Sequence, residues 1–220
     1  MISAAFKALG DLQSFEFRSV LLKSIGLTLG LFIGLMVAVE VLLSHAALIP
    51  WQWAETLAAI GAALGLIVAF FFMMAPVVAV FAGLYLDEIA GLVERRHYPT
   101  DAPGRPLVGM RAVVISLQFA FLVLLVNLAA LPLIFTGVGA LALIVINAYL
   151  ISREYFEMVA MRHMSPEDAK LLRRENSPVV LAAGFIPALL SLVPLINLAT
   201  PLFATSYFVH IFKQVRRSSP

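Results

Sequence analysis

Four histidines, His45, His97, His163 and His210, and two pairs of acids, Asp87 with Glu88 and Glu154 with Glu157, have the side-chain types that invite acid–base or metal chemistry. The histidines are scattered, and none stands in an HExxH or other local zinc spacing. Cysteine is absent, which excludes disulfides, thiolate metal sites and cysteine nucleophiles. There is no GxSxG nucleophile elbow and no phosphate-cradling P-loop. The sequence therefore predicts no catalytic residue, no metal and no cofactor. Arginines lie near both acid pairs, so ion-paired helix ends are the expected arrangement. A catalytic carboxylate pair in a lipid-acting enzyme is the alternative.

A second group has the chemistry of anion recognition. Arg18, Ser19 and Lys23 stand where the first apolar run begins. A helix start offers unpaired amides and the positive end of the helix dipole, and an arginine adds charge and paired donors. The competing reading is that Arg18 and Lys23 only anchor the helix at lipid phosphates. Downstream, Gly26, Gly30 and Gly34 recur every four residues. Small residues at that spacing let another helix approach closely, or make a thin wall beside a permeation path. Glu40 is the only formal charge inside the run, one turn before the Ser44–His45 loop. It either snorkels to the interface or binds a cation or proton.

These residues are set in an unusually apolar chain of 220 residues: 62% hydrophobic, 13% charged, with a mean hydropathy of +0.99. A water-soluble globule of this size has too little interior for that much apolar side chain, so the expected solvent is lipid. Net charge is only +2, and no basic stripe interleaves with aromatics, which argues against a nucleic-acid partner. No cleavable signal is evident, because Lys7, Asp11, Glu16, Arg18 and Lys23 occupy the first 23 residues.

The gaps between charges set out six hydrophobic segments. Residues 24–43 form one span, and residues 56–86, without charge, a second with room for tilt. Residues 112–151 are twice a span long and broken by Pro132, Gly137 and Gly139, the pattern of a helical hairpin. Residues 177–212 hold Pro187, Pro194 and Pro201, with Asn197 between the last two, and their halves are short for complete spans. Such halves either cross a thinned bilayer or enter and return, their exposed backbone covered by protein or lining a wet cavity. The fold class is thus all-α: a polytopic membrane protein with two long transmembrane helices and two hairpins of full or partial penetration. It reads as a single membrane domain, with residues 1–23 an N-terminal interfacial helix, 24–111 the two long helices and their connection, 112–176 the central hairpin with a cytoplasmic helix, and 177–220 the Pro-rich hairpin and basic tail.

All 15 lysines and arginines fall in the N-terminal stretch, in residues 85–111, in 152–176 and in the tail, and none in the three intervening connections. By the positive-inside rule those basic segments and both termini are cytoplasmic. Trp51 and Trp53 suit the headgroup level on the opposite side. Phe6, Leu9, Leu12 and Phe15 recur at helical spacing, as in a helix lying on a membrane, with Gly10–Asp11 a point of breakage. Ser165-Pro166-Glu167-Asp168 reads as an N-cap, a proline at the first helical position and acids in the first turn.

The segment Val193-Pro194-Leu195-Ile196-Asn197-Leu198-Ala199-Thr200-Pro201, followed by Ala204-Thr205, resembles the bacterial CysZ family, which shares its domain with eukaryotic etoposide-induced membrane proteins. Ala75-Pro76 with Phe81-Ala82-Gly83-Leu84 and Asp87-Glu88 is similar to the family's second helix, and Asn147-Ala148-Tyr149 through Arg153-Glu154-Tyr155-Phe156 to the end of its central hairpin. The resemblance implies a sulfate permease or channel of the bacterial cytoplasmic (inner) membrane, working as a homo-oligomer in lipid and feeding sulfate assimilation, with hairpins that enter the bilayer partway. It also implies an arginine-bearing sulfate motif before the first long helix. That motif falls here on Phe15-Glu16-Phe17-Arg18, which lacks the family's glycine and one of its two arginines. Arg18 is then the anion contact, with Ser19 and Lys23 beside it, while Asn197, Thr200 and Thr205 line the path or the hairpin turn. The rival to transport is a non-transporting membrane scaffold or assembly factor, docking through helices around residues 165–175.

Overall fold

The computed structural model describes residues 1–45, 56–57, 60–62, 64–65, 77, 85–106, 121, 125 and 139–218. Among them every regular element is a helix: α1 (Ile2–Leu12), α2 (Phe15–His45), α3 (Leu86–His97), α4 (Gly139–Met161), α5 (Pro166–Glu175), α6 (Ser177–Leu190), α7 (Pro194–Asn197) and α8 (Thr200–Ser218). No strand occurs among the described residues. Most of the second long segment, the Pro132–Gly137 breaker, Trp51, Trp53 and the Phe81–Leu84 motif lie outside the described residues.

α1 shows why small residues matter at a crossing. Ala4, Ala8 and Asp11 recur at helical spacing and are buried, and α1 packs on α8. The other side leaves Ile2 73% and Phe6 71% exposed, an apolar stripe of the kind that lies in a membrane surface. The chain does not break at Gly10–Asp11. It turns at Gln13–Ser14, and the Arg18 amide donates to the Ser14 carbonyl at 3.1 Å, opening the next helix. The long helix therefore begins at Phe15, well before the apolar run that starts at Ser24. Helical hydrogen bonds do not require apolar side chains, so Glu16, Arg18 and Lys23 extend the helix while staying exposed.

α2 has 31 residues, hence a length of about 46 Å against roughly 30 Å of bilayer hydrocarbon. Its stretch Phe15–Val41 is the one described helix long and apolar enough to cross a membrane. Phe17, Val20, Ser24 and Thr28 form its buried stripe, and Thr28 Oγ1 donates back to the Ser24 carbonyl at 2.8 Å. Most of the remaining surface is exposed leucine, isoleucine and methionine.

The rest of the described chain packs around α8. This helix is buried from Thr200 to Lys213, enclosed by α1, α3, α4 and α6. Tyr155 stacks on Phe208, Phe156 meets Phe212 edge-on, and Phe203 stacks on Tyr207. The expected second half of the C-terminal hairpin is thus a protein-enclosed helix, covered by side chains on all sides. α6, at 14 residues, extends about 21 Å and is too short to cross alone. It lies against α4 where Gly184 meets the backbone carbonyl of Ala148, leaving no room for a Cβ. The single turn of α7 joins α6 to α8. The Ser165 cap forms as its sequence indicates: Ser165 Oγ accepts from the Asp168 amide at 3.1 Å and donates to Asp168 Oδ2 at 2.7 Å.

Candidate functional site

The start of α2 carries the expected anion contacts, but they do not converge on one point. Arg18 and Lys23 are exposed and Ser19 is half-buried. Five residues of helix turn the chain by about 140° relative to its starting face, so Arg18 and Lys23 point to different sides, while Ser19 and Lys23 lie within about 40° of each other. Lys23 Nζ sits 6.0 Å from the Tyr85 ring centroid, at one end of an open groove of about 610 Å³ lined by Lys23, Gly26, Leu27, Gly30, Leu31 and Tyr85. Gly26, Gly30 and Gly34 have no described atom within 4 Å of where a Cβ would stand. Among the described residues no helix packs on that stripe, and Gly26 and Gly30 line the groove with Lys23 at one end.

The polar residues of the last hairpin stand differently. The Thr200 hydroxyl donates to the Ile196 carbonyl at 3.3 Å, and the Thr205 hydroxyl to the Pro201 carbonyl at 2.8 Å. Both are buried, and both satisfy backbone acceptors one turn earlier. Asn197 is half-buried at the end of the α7 turn. Glu40 is exposed near the far end of α2.

Two buried polar clusters join elements distant in sequence. The first centres on Glu94 of α3. Its carboxylate accepts from Arg162 Nη2 at 3.3 Å, from the Gly104 amide at 3.1 Å, and faces His163 Nε2 at 2.8 Å. Arg162 Nη1 also reaches Asp87 Oδ1 at 2.6 Å, and the Arg105 amide donates to the Arg162 carbonyl at 2.8 Å. Burial raises the pKa of the Glu94 carboxyl, but His163, Arg162 and the Gly104 amide outweigh that and bring it down to about 2. A Cβ at Gly104 would stand 2.9 Å from Arg162, so only glycine fits there. Asp87 is therefore ion-paired, though with Arg162 rather than with a neighbour in sequence. Glu157 pairs with Arg173 at 2.7 Å and lies 3.9 Å from Arg153.

The second cluster lies where α1, α3 and α8 meet. Asp11, 2% exposed, accepts from Ser206 Oγ at 2.7 Å and faces His97 Nε2 at 2.9 Å, residues 195 and 86 positions away. Arg96 reaches the same carboxylate at 3.5 Å from the surface. His210 Nε2 stands 3.9 Å from Asp11 Oδ2, too far for a hydrogen bond, while its Nδ1 meets the Tyr98 hydroxyl at 2.7 Å. Burial raises the pKa of the Asp11 carboxyl, and the facing His210, His97 and Ser206 groups more than offset it, to about 2. Sequence spacing gave no sign of this grouping, because its members come from three separate segments. The one local hint is an aspartate among the small residues of the buried α1 face.

A family model for the sulfate transporter CysZ/etoposide-induced protein 2.4 matches residues 4–201. The chain belongs to this family. No curated protein matches the sequence at a significant level. The match spans α1 through the start of α8, including the α2 start, the groove and the Pro194–Asn197 turn. Family and long apolar helix together are consistent with a membrane protein.

Proposed function

We propose that this chain is a sulfate permease or channel of a bacterial cytoplasmic membrane, assembled as a homo-oligomer from a multi-pass subunit with two long helices, two hairpins and both termini on the cytoplasmic side. The family supplies the substrate class. The observation that carries the reading is the groove on α2, where Lys23 stands at one end of an open surface that includes Gly26 and Gly30, on the one described helix long and apolar enough to cross a bilayer. A permeating dianion needs a cation to draw it to the entrance and then a path that does not hold it. Lys23 provides the first, and the side-chain-free glycine stripe fits the second. Arg18, five residues earlier and on a different side of the helix, raises local anion concentration without sharing the same ion. A second chain packed over the exposed α2 face would complete the wall.

Uptake of radiolabelled sulfate into liposomes carrying the purified protein tests this, beside selenate, phosphate and chloride. Flux above empty liposomes, reduced several-fold by Lys23→Ala and by Arg18→Ala, is the expected result. Absence of flux beside a working positive control overturns it, and a stoichiometric co-purifying partner in its place favours the scaffold reading. Full function after substitution of Asp87, Glu88, Glu154 and Glu157 would remove the lipid-acting enzyme.

A further inference from the structure

The cluster at the junction of α1, α3 and α8 has a composition that an ion-pair network does not need. Asp11, His97 and His210 each offer one ligand atom, and these atoms all lie within 4.8 Å of one another. One carboxylate oxygen and two imidazole nitrogens, with no thiolate, form the donor set preferred by zinc and its borderline neighbours. Independently of that grouping, His210 Nε2 is buried and has no hydrogen-bond partner among the described residues, although the ring is fully enclosed. An unmatched nitrogen at such depth costs free energy unless something takes its lone pair.

The contact on the other side of the His210 ring allows the tautomer that leaves this nitrogen open. With Nδ1 held at 2.7 Å from the Tyr98 hydroxyl, a proton on Nδ1 is donated to the phenol oxygen and leaves Nε2 as the open acceptor. A second hydrogen bond that fixes the tautomer and ring orientation is the usual support of a metal-ligating histidine. We propose that Asp11, His97 and His210 form a binding site for a divalent transition-metal ion of the zinc class, which clips α1 to α3 and α8.

The ligand atoms must draw closer together to share one ion. Bonds of about 2.0–2.1 Å in a tetrahedral arrangement place ligand atoms about 3.4 Å apart. His97 Nε2 faces Asp11 Oδ1 at 2.9 Å and His210 Nε2 faces Asp11 Oδ2 at 3.9 Å, so the first separation must open slightly, the second must close, and the three ligand atoms, now within 4.8 Å of one another, must draw together around one ion. The Ser206 hydroxyl, 2.7 Å from Asp11 Oδ2, remains to orient the carboxylate. Arg96 at 3.5 Å and the positive charge of Lys7 near His210 oppose a cation, but Arg96 is 58% exposed and free to swing into solvent. The site needs no transported ion, so it stands or falls apart from the transport reading.

The test uses the full chain purified in detergent without a polyhistidine tag and stripped by chelator. Zn²⁺ and Co²⁺ are titrated by equilibrium dialysis with elemental analysis, and the Co²⁺ form is examined for visible ligand-field absorption. The expected result is one tightly held ion per chain, nitrogen–oxygen ligand-field bands and a rise in melting temperature on Zn²⁺ addition. His97→Gln and His210→Gln keep the side-chain volume and are expected to lose at least tenfold in affinity together with the melting shift. His97 is 22% exposed, so its variant remains foldable should the buried one fail. Absence of a stoichiometric ion in the unaltered protein, or undiminished binding in folded His97→Gln protein, overturns the site.

Discussion

Arg162 donates to Asp87, Glu94 and the Gly104 carbonyl from a side chain only 3% exposed, so its removal would strand charge rather than merely delete a contact. Breaking a buried pair from one side costs about 3–5 kcal/mol, because the remaining ion keeps its desolvation penalty and loses its partner. Arg162→Ala is expected to fall at the upper part of that range, since Asp87 and Glu94 both lose a donor. Arg162→Lys should recover little: an ammonium cannot serve two carboxylates and a carbonyl with the planar fork that guanidinium provides. Thermal melting of the detergent-solubilised variants checks both. A Glu94→Gln, Arg162→Met double variant that recovers much of the loss would show that the cost lies in the unpaired charge.

Helix α6 depends on a single glycine for its closest approach. A Cβ on Gly184 would run into the Ala148 carbonyl and stand 2.7 Å from Ser152 Cβ, both on α4 and both backbone-near atoms that cannot swing away. Gly184→Ala is therefore expected to push the helices apart and cost about 1–3 kcal/mol through overpacking, despite the better helix propensity of alanine. Gly26→Ala in the α2 groove meets no described atom within 4 Å and is expected to leave the melting point nearly unchanged, while narrowing the groove. The two alanine variants, compared by melting and by flux, separate a packing glycine from a groove glycine. Spacing in the sequence pointed to Gly26, Gly30 and Gly34 and passed over Gly184. A repeat is visible within one helix, whereas a close crossing depends on which other helix arrives. The Ser165 cap was legible because it is closed by Asp168 within its own first turn. The α8 enclosure was not, since an apolar run reads alike whether lipid or protein covers it.

At the scale of the molecule, α2 leaves a lipid-compatible surface uncovered by the other described residues, while the packed helices around α8 bury charge among themselves. Asp11 and Glu94 are the two carboxylates that tie those packed helices together, and each has its pKa brought from the ordinary carboxylate range to about 2. A folded-state pKa below the unfolded value means that the unfolded chain binds protons more readily. The stabilisation is then complete above the unfolded values of 3.8 and 4.5 and is lost as pH falls toward about 2. Lowering each carboxyl to about 2 corresponds to on the order of 3 kcal/mol for these nearly inaccessible groups. The melting temperature is accordingly expected to hold steady from neutral pH to about 5 and to fall steeply between about 4.5 and 2. Asp11→Asn and Glu94→Gln should each be less stable at neutral pH and show a shallower fall in acid, because the amide has no proton to gain. Equal acid slopes in both variants and the unaltered protein would place the acid sensitivity elsewhere, on the exposed acids rather than on the two buried junctions.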